Sequence, residues 1–240
     1  MDVTQIRLII FDVGQMLLFL TPPSEGVFLA RCQQLAIDVE LEDLKRGCKA
    51  GELWVAQTIM NEQQGAPRMS DEEFDMKWEY VVLETALRDR KEDLDGLVKK
   101  LRNTNGPAQN WIAPPETHTV LDGLQAKGLP LGIVSNFPKT LSDLCRKEGL
   151  ADYFDFIIAS EEVGISKPDP RILQMALQRA QVNPEEAVYI GDHPFDILCA
   201  KEVPIPIVWF NKDDDPLPDG FTSHPDLQIR ALSELLEIIA

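Results

Sequence analysis

The sequence predicts an α/β fold: a Rossmann-like parallel sheet covered by helices on both faces, with an all-helical domain inserted near the start. Three observations predict it. Five short apolar, largely β-branched runs at 6–11, 131–134, 156–159, 188–190 and 205–210 have the unbroken hydrophobicity of strands buried on both sides. The last four alternate with helical patterns, as strands joined by crossover helices do. Between the first two lie about a hundred residues without strand patterning, whose apolar positions recur every three or four residues.

The elements follow in order. The first run ends at Asp12, and a helix near 118–127 precedes the second run. Helices at 140–147, 169–180 and 195–201 separate the remaining runs, each bounded by glycine or proline. Asp169 is placed to cap the second of these, Pro170 fits its first turn, and Asn183-Pro184 closes the turn that follows. A helix over 231–239 ends the chain. Within the insertion, helical periodicity covers 24–36, 41–60, 70–87 and 91–101, with breaks at Ile37-Asp38, Gly65-Ala66-Pro67 and Asp89. Trp54, Phe74, Trp78 and Leu83 are read as the core of that bundle. Gly106-Pro107 and Pro114-Pro115 mark the return, so the core is expected at 1–17 and 108–240 and the insertion at 18–107.

Composition excludes several classes of function. The chain carries 23 basic against 40 acidic residues, a formal charge of -17. Such a surface repels polyanions, so neither nucleic acid nor an anionic membrane is an expected partner. No apolar stretch approaches the roughly 18 residues that cross a bilayer, and the start of the chain lacks the pattern of a signal peptide. Cys32, Cys48, Cys145 and Cys199 are scattered without Cys-x-x-Cys spacing, which suits small core residues in a reducing cytoplasm and speaks against a zinc or redox centre.

Ligands of open parallel sheets sit beyond the carboxyl ends of the strands. Those ends carry a coherent polar set here. Asp12 follows the first run, Ser135-Asn136 the second and Gly191-Asp192 the fourth, with Asp196 four residues later and Lys167 in the loop after the third. Converging carboxylates repel one another unless a cation lies among them. Oxygen donors of this kind suit a hard divalent ion, above all magnesium.

These segments, Phe11-Asp12-Val13-Gly14, Val134-Ser135-Asn136, Ser166-Lys167-Pro168-Asp169-Pro170 and Gly191-Asp192-His193-Pro194-Phe195-Asp196, resemble in order the motifs of the haloacid dehalogenase superfamily. The insertion resembles that superfamily's helical cap. The resemblance implies a hydrolase of phosphatase type acting on a small phosphorylated metabolite enclosed by the cap. Asp12 would be the nucleophile, forming an aspartyl phosphate that water then hydrolyses. Magnesium would be held by Asp12, Asp192, Asp196 and the backbone carbonyl of Gly14. Lys167 would neutralise phosphoryl oxygens, Ser135 would donate to one of them, and Asn136 would orient the phosphate or cap the following helix.

The first motif departs from that pattern. The family's phosphatases carry a second aspartate two residues after the nucleophile, which serves the leaving alcohol and the attacking water as acid and base. This chain has Gly14 there, and Met16 where threonine is usual. The contribution of a general acid, about 10² to 10⁴ in rate, is therefore expected to be absent. Gln15 does not titrate. Other side chains weighed for the role are His193, whose ordinary pKa lies near neutrality but for which a surface role or one beside the metal ligands is the favoured reading, His118, read as a helix-start residue, and Glu161, Glu162 and Glu25, read as solvated. Three alternatives accompany the phosphatase reading: a binding module that keeps metal and phosphate sites without turnover, a dehalogenase, and a phosphonate hydrolase using Lys45 or Lys49. Asp192 weighs against the dehalogenase, which needs no metal.

Overall fold

Strand β1 (Leu8–Phe11) is buried at all four positions, with Leu8, Ile9, Ile10 and Phe11 alike withdrawn from solvent, so both of its faces are covered. The computed structural model describes residues 3–88 and 93–239. After β1 come β2 (Phe19–Thr21), α1 (Ser24–Gln34), α2 (Leu41–Gln63), α3 (Asp71–Ala86), α4 (Leu94–Arg102) and β3 (Asn110–Ile112). The chain continues through α5 (Pro115–Ala126), β4 (Leu131–Ser135), α6 (Leu141–Lys147), β5 (Phe156–Ala159), α7 (Ser160–Val163) and α8 (Arg171–Ala180). It ends with β6 (Ala187–Gly191), α9 (Pro194–Glu202), β7 (Ile207–Phe210), β8 (Leu227–Ile229) and α10 (Leu235–Ile238).

Six strands form one parallel sheet in the order β5-β4-β1-β6-β7-β8. Phe11 is level with Ile133 of β4 on one side and Ile190 of β6 on the other. The chain therefore leaves β1 in opposite directions, and the crevice this reversal creates lies beyond the carboxyl end of β1. Ile9, Phe11, Ile133, Val188 and Ile190 pack on one face with Val120, Leu121 and Leu124 of α5, Leu141 and Cys145 of α6, and Leu235 of α10. Helix α8 packs against β4, and α9 against β6 and β7. The five expected strands are all present. The sixth, β8, was not foreseen because Leu227 and Gln228 are exposed and only Ile229 is buried, which leaves no apolar run. The expected closing helix over 231–239 is instead a 3-10 turn (Leu232–Glu234) followed by the single turn of α10.

The chain divides into two compact units, one made of the residues up to Phe19 and from Trp111 onward, the other Leu20–Asn110. The second is built on α1 to α4. Two short strands correct the expectation of a segment without β structure: β2 and β3 pair with each other in a ribbon apart from the main sheet. The expected break at Asp89 lies outside the described residues. Ser70 caps α3 in a reciprocal box with Glu73, and the Asp93 side chain accepts from the Gly96 amide at 3.0 Å to open α4.

Close helix packing explains two of this unit's glycines. A β-carbon on Gly47 would stand 2.3 Å from the Val82 carbonyl oxygen, and one on Gly51 would stand 2.6 Å from the Trp78 indole nitrogen. Leu83 is fully buried, Phe28 meets Trp78 edge-on at 5.6 Å, and Trp54 lies 5.0 Å from Phe74. Glu79 binds Arg31 at 3.1 Å and Arg102 at 3.4 Å, tying α1, α3 and α4 together. No helix among the described residues is long and apolar enough to cross a membrane.

Candidate active site

Asp12 continues directly from β1, Ser135 is the last residue of β4, and Asp192 follows β6. Parallel pairing in this register delivers all three to the same edge of the sheet. Lys167 arrives from the loop between α7 and α8, and Asp196 from the first turn of α9. Carboxylate oxygens of Asp12, Asp192 and Asp196 lie within 4.8 Å of one another. Gly191 is required by this convergence, since a β-carbon there would sit 2.5 Å from the Asp196 carboxyl group.

Lys167 organises the cluster. Its side chain has no exposed surface, and its ammonium lies 2.7 Å from Asp12 Oδ1, 2.7 Å from Asp196 Oδ1 and 2.8 Å from the Tyr189 hydroxyl. An ammonium has three protons, and here each has an acceptor. Burial alone would favour the neutral amine. The two carboxylates outweigh it and hold the pKa above the ordinary lysine range. The Tyr189 hydroxyl in turn donates to Asp196 Oδ1 at 2.9 Å, and burial followed by the charges of Asp196 and Asp12 pushes its pKa well up.

The carboxylates feel the opposite imbalance. Burial, then the charges of Asp12 and Asp196, raise Asp192 well above the usual carboxylate range, with Lys167 opposing. Asp196 is raised as well, by burial and by Asp12, again against Lys167. Three carboxylates around one ammonium leave a formal charge of -2. The donor set therefore matches a hard divalent cation in both charge and ligand type.

Asn136 holds Lys167 in place. Its amide donates to the Lys167 carbonyl at 2.9 Å and accepts from the Lys167 amide at 2.7 Å, a two-way clamp on the loop. His193 takes a structural role beside the cluster. Its Nδ1 accepts from the Phe195 amide at 3.3 Å, its backbone amide donates to Asp196 Oδ2 at 3.0 Å, and its ring stacks on Phe195 at 3.9 Å. Burial, reinforced by Lys167, pulls its pKa down to about 3, so it is a neutral cap for α9 and not an acid poised near pH 7. With Nδ1 accepting, the proton belongs on Nε2, which is buried and has no partner among the described residues.

Glu161 Oε2 accepts from the Lys139 amide at 2.8 Å, Glu162 is exposed, and His118 is in α5 with its ring 6.1 Å from Tyr153. Glu25 belongs to α1 of the other unit, and Lys45 is an exposed partner of Glu42. At the departures from the family pattern, the structure is apolar. Met16 is fully buried in the sheet core, and a β-carbon on Gly14 would lie 3.6 Å from the edge of the Trp111 indole.

Sequence reasoning missed Tyr189 and Trp209. Tyr189 was counted as one more residue of an apolar strand. Trp209 donates from its indole nitrogen to the Asp192 carbonyl at 2.8 Å and so fixes the backbone that carries that carboxylate. The available signal was a hydroxyl or indole nitrogen within otherwise aliphatic strands, since a buried polar handle requires a partner.

A profile of the haloacid dehalogenase-like hydrolases matches residues 55–210, well over half of the chain. The chain belongs to this family. Its relatives include haloacid dehalogenase-like hydrolase domain-containing protein 3 of Xenopus laevis, 36% identical over 126 residues that make up 51% of this chain and 52% of that protein. A phosphoserine phosphatase of Thermus thermophilus is likewise 36% identical over 126 residues, covering 50% of this chain and 49% of the relative. The chain thus spans about half the length of these two relatives. Among solved structures, the HAD-hydrolase YfnB from Bacillus subtilis, described as bound to magnesium, superposes with a TM-score of 0.66 at 24% identity over 98% of both chains. The L-2-haloacid dehalogenase RSc1362 gives 0.64 at 20% identity, also over 98% of both. At such identities the superpositions establish the shared fold. The profile match begins at Val55, so Asp12, Gly14 and Met16 lie before it.

Proposed function

We propose that the chain is a magnesium-dependent phosphatase that hydrolyses a small phosphorylated metabolite through an aspartyl phosphate on Asp12. The observation that carries this is the cluster of Asp12, Asp192 and Asp196, the first and last of them paired with buried Lys167, whose formal charge of -2 calls for a divalent cation beside the proposed nucleophile. The phosphatase among the relatives supports the same chemistry. Asp12, Asp192 and Asp196, with the Gly14 carbonyl, would hold the ion. When bound, magnesium supplies charge neutralisation and alignment for the phosphoryl group.

Lys167 engages Oδ1 of Asp12, and no hydrogen bond among the described residues reaches Oδ2, so Oδ2 is the attacking atom. Attack forms the Oδ2–P bond and breaks the bond from phosphorus to the leaving oxygen, which departs with the electron pair. Water then attacks phosphorus, releasing phosphate and restoring the carboxylate. Ser135, buried at the end of β4, donates to a phosphoryl oxygen. Asn136 serves by keeping Lys167 in register with Asp12.

The apolar surroundings of Gly14 favour one second reading, a binding module that retains metal and phosphate without turnover. One experiment separates the two. Hydrolysis of 4-nitrophenyl phosphate and acetyl phosphate is measured with and without magnesium, in the wild type and in Asp12→Asn. Metal-dependent turnover lost in the variant supports the phosphatase. Absence of turnover with retained, magnesium-dependent phosphate binding identifies the binding module.

A further inference from the structure

We infer that Trp111 and Phe137 form the subsite for the leaving group and select a planar, aromatic one, a proposal that rests on the phosphatase reading and gives its substrate class. The Trp111 indole borders the space beside Gly14, with its Cη2 and Cζ3 atoms 3.6 and 4.0 Å, ordinary van der Waals distances, from a β-carbon built there. Phe137 lies two residues after Ser135, and its ring centroid is 5.3 Å from that of Trp111 at an interplanar angle of 59°. Both rings are partly buried and packed against the core, so each keeps part of its surface accessible. The Phe137 carbonyl accepts from the Ser160 hydroxyl at 3.4 Å and from the Glu161 amide at 3.3 Å, which anchors the loop carrying the second ring.

Two independent features select the same ligand. Rigid aromatic walls favour a flat apolar group through stacking and edge contacts. Among the described residues other than its chain neighbours, only Trp111, which does not titrate, comes within 4 Å of a β-carbon built at Gly14, so a leaving group held there departs as its own anion and takes its proton from water afterwards. Aryloxides, being weakly basic, leave in that way far more readily than alkoxides. Transfer forms the Asp12 Oδ2–P bond and breaks the bond between phosphorus and the aryl oxygen.

The test compares 4-nitrophenyl phosphate with acetyl phosphate, whose leaving groups are both weakly basic and of which only the first is aromatic. The ratio of their kcat/KM values is expected to fall about fivefold in Trp111→Ala, within the about two- to tenfold range of an aromatic contact, and less in Trp111→Phe. Thermal melting of each variant confirms folding, and Phe137→Leu provides a second route to the same loss. An unchanged ratio in folded Trp111→Ala overturns the subsite while leaving the phosphatase standing. If neither substrate is turned over, the phosphatase reading falls, and calorimetric binding of phenylphosphonate against methylphosphonate in magnesium still decides the subsite. Tighter phenylphosphonate binding that Trp111→Ala removes supports it, and equal affinities refute it.

Discussion

Replacing Tyr189 by phenylalanine deletes one oxygen and tests the reading of Lys167 as a fully partnered buried cation. In the wild type the hydroxyl accepts from Lys167 at 2.8 Å and donates to Asp196 at 2.9 Å. Its removal leaves one ammonium proton and one carboxylate lone pair unpaired in the protein interior. Hydrogen bonds to charged groups contribute about 1.5–3 kcal/mol each, and two bonds sharing one atom are not additive, so the combined loss is about 2–4 kcal/mol. For a chain of this length each kcal/mol moves the melting temperature by about 2–4 °C, giving an expected fall of about 4–16 °C by calorimetry or circular dichroism. Because Asp12 and Asp196 remain bound to Lys167, the fold and the proposed metal site should survive, and the proposed phosphatase activity should fall less than in Asp12→Asn. A variant melting within about 1 °C of the wild type would show that water or a rearranged carboxylate replaces the hydroxyl without cost, and the description of a closed, three-acceptor ammonium site would be wrong.

Three further outcomes follow from the same geometry. Gly14→Asp should raise turnover of alkyl phosphates more than of aryl phosphates, by about 100- to 1000-fold, the lower part of the span expected of general acid catalysis because the new carboxylate would lie against the Trp111 edge; equal gains on both substrates would refute the missing-acid explanation. Asp192 and Asp196 have folded pKa values above their unfolded ones, so their contribution to stability is greatest below the ordinary carboxylate range and is lost as pH rises through the raised values. Magnesium, in the proposed function, would bind the ionised forms and should therefore raise the melting temperature more at pH 8 than at pH 5.5, by about 5–10 °C at a hundredfold excess over Kd, and Asp192→Asn should shrink the difference; the same shift at both pH values would argue against these ligands. Gly47→Ala forces a β-carbon to within 2.3 Å of the Val82 carbonyl and should destabilise the α2–α3 pair by about 1–3 kcal/mol, read as faster amide exchange confined to those helices; unaltered exchange there would mean that the helices separate freely.

Asp12, Ser135 and Asp192 were legible as candidates because each lies at the end of an apolar run, and a polar group at the carboxyl end of a buried strand has few structural reasons to be there. Lys167, in a loop, and Asp196, in the first turn of α9, were singled out by the motifs they belong to. Tyr189 and Trp209 were not, because within a strand the same residues also serve as ordinary core, and only three-dimensional neighbours distinguish a phenol that bridges Lys167 to Asp196 from one that fills volume. β8 escaped for a related reason, being an edge strand with a single buried residue.

What the sequence determined by itself was the alternation of buried strands and amphipathic helices, hence a parallel sheet, and the order in which acidic and basic groups meet its edge. Periodicity is a local property of the chain, and burial acts on it directly. The tertiary structure decided which of those groups share protons and charge. It made His193 a neutral cap, turned Asn136 into a clamp on Lys167, and set an indole beside Gly14 where the sequence showed only a missing acid. Those outcomes depend on hydrogen bonds and desolvation between residues far apart in the chain, which exist only once the strands have been brought side by side.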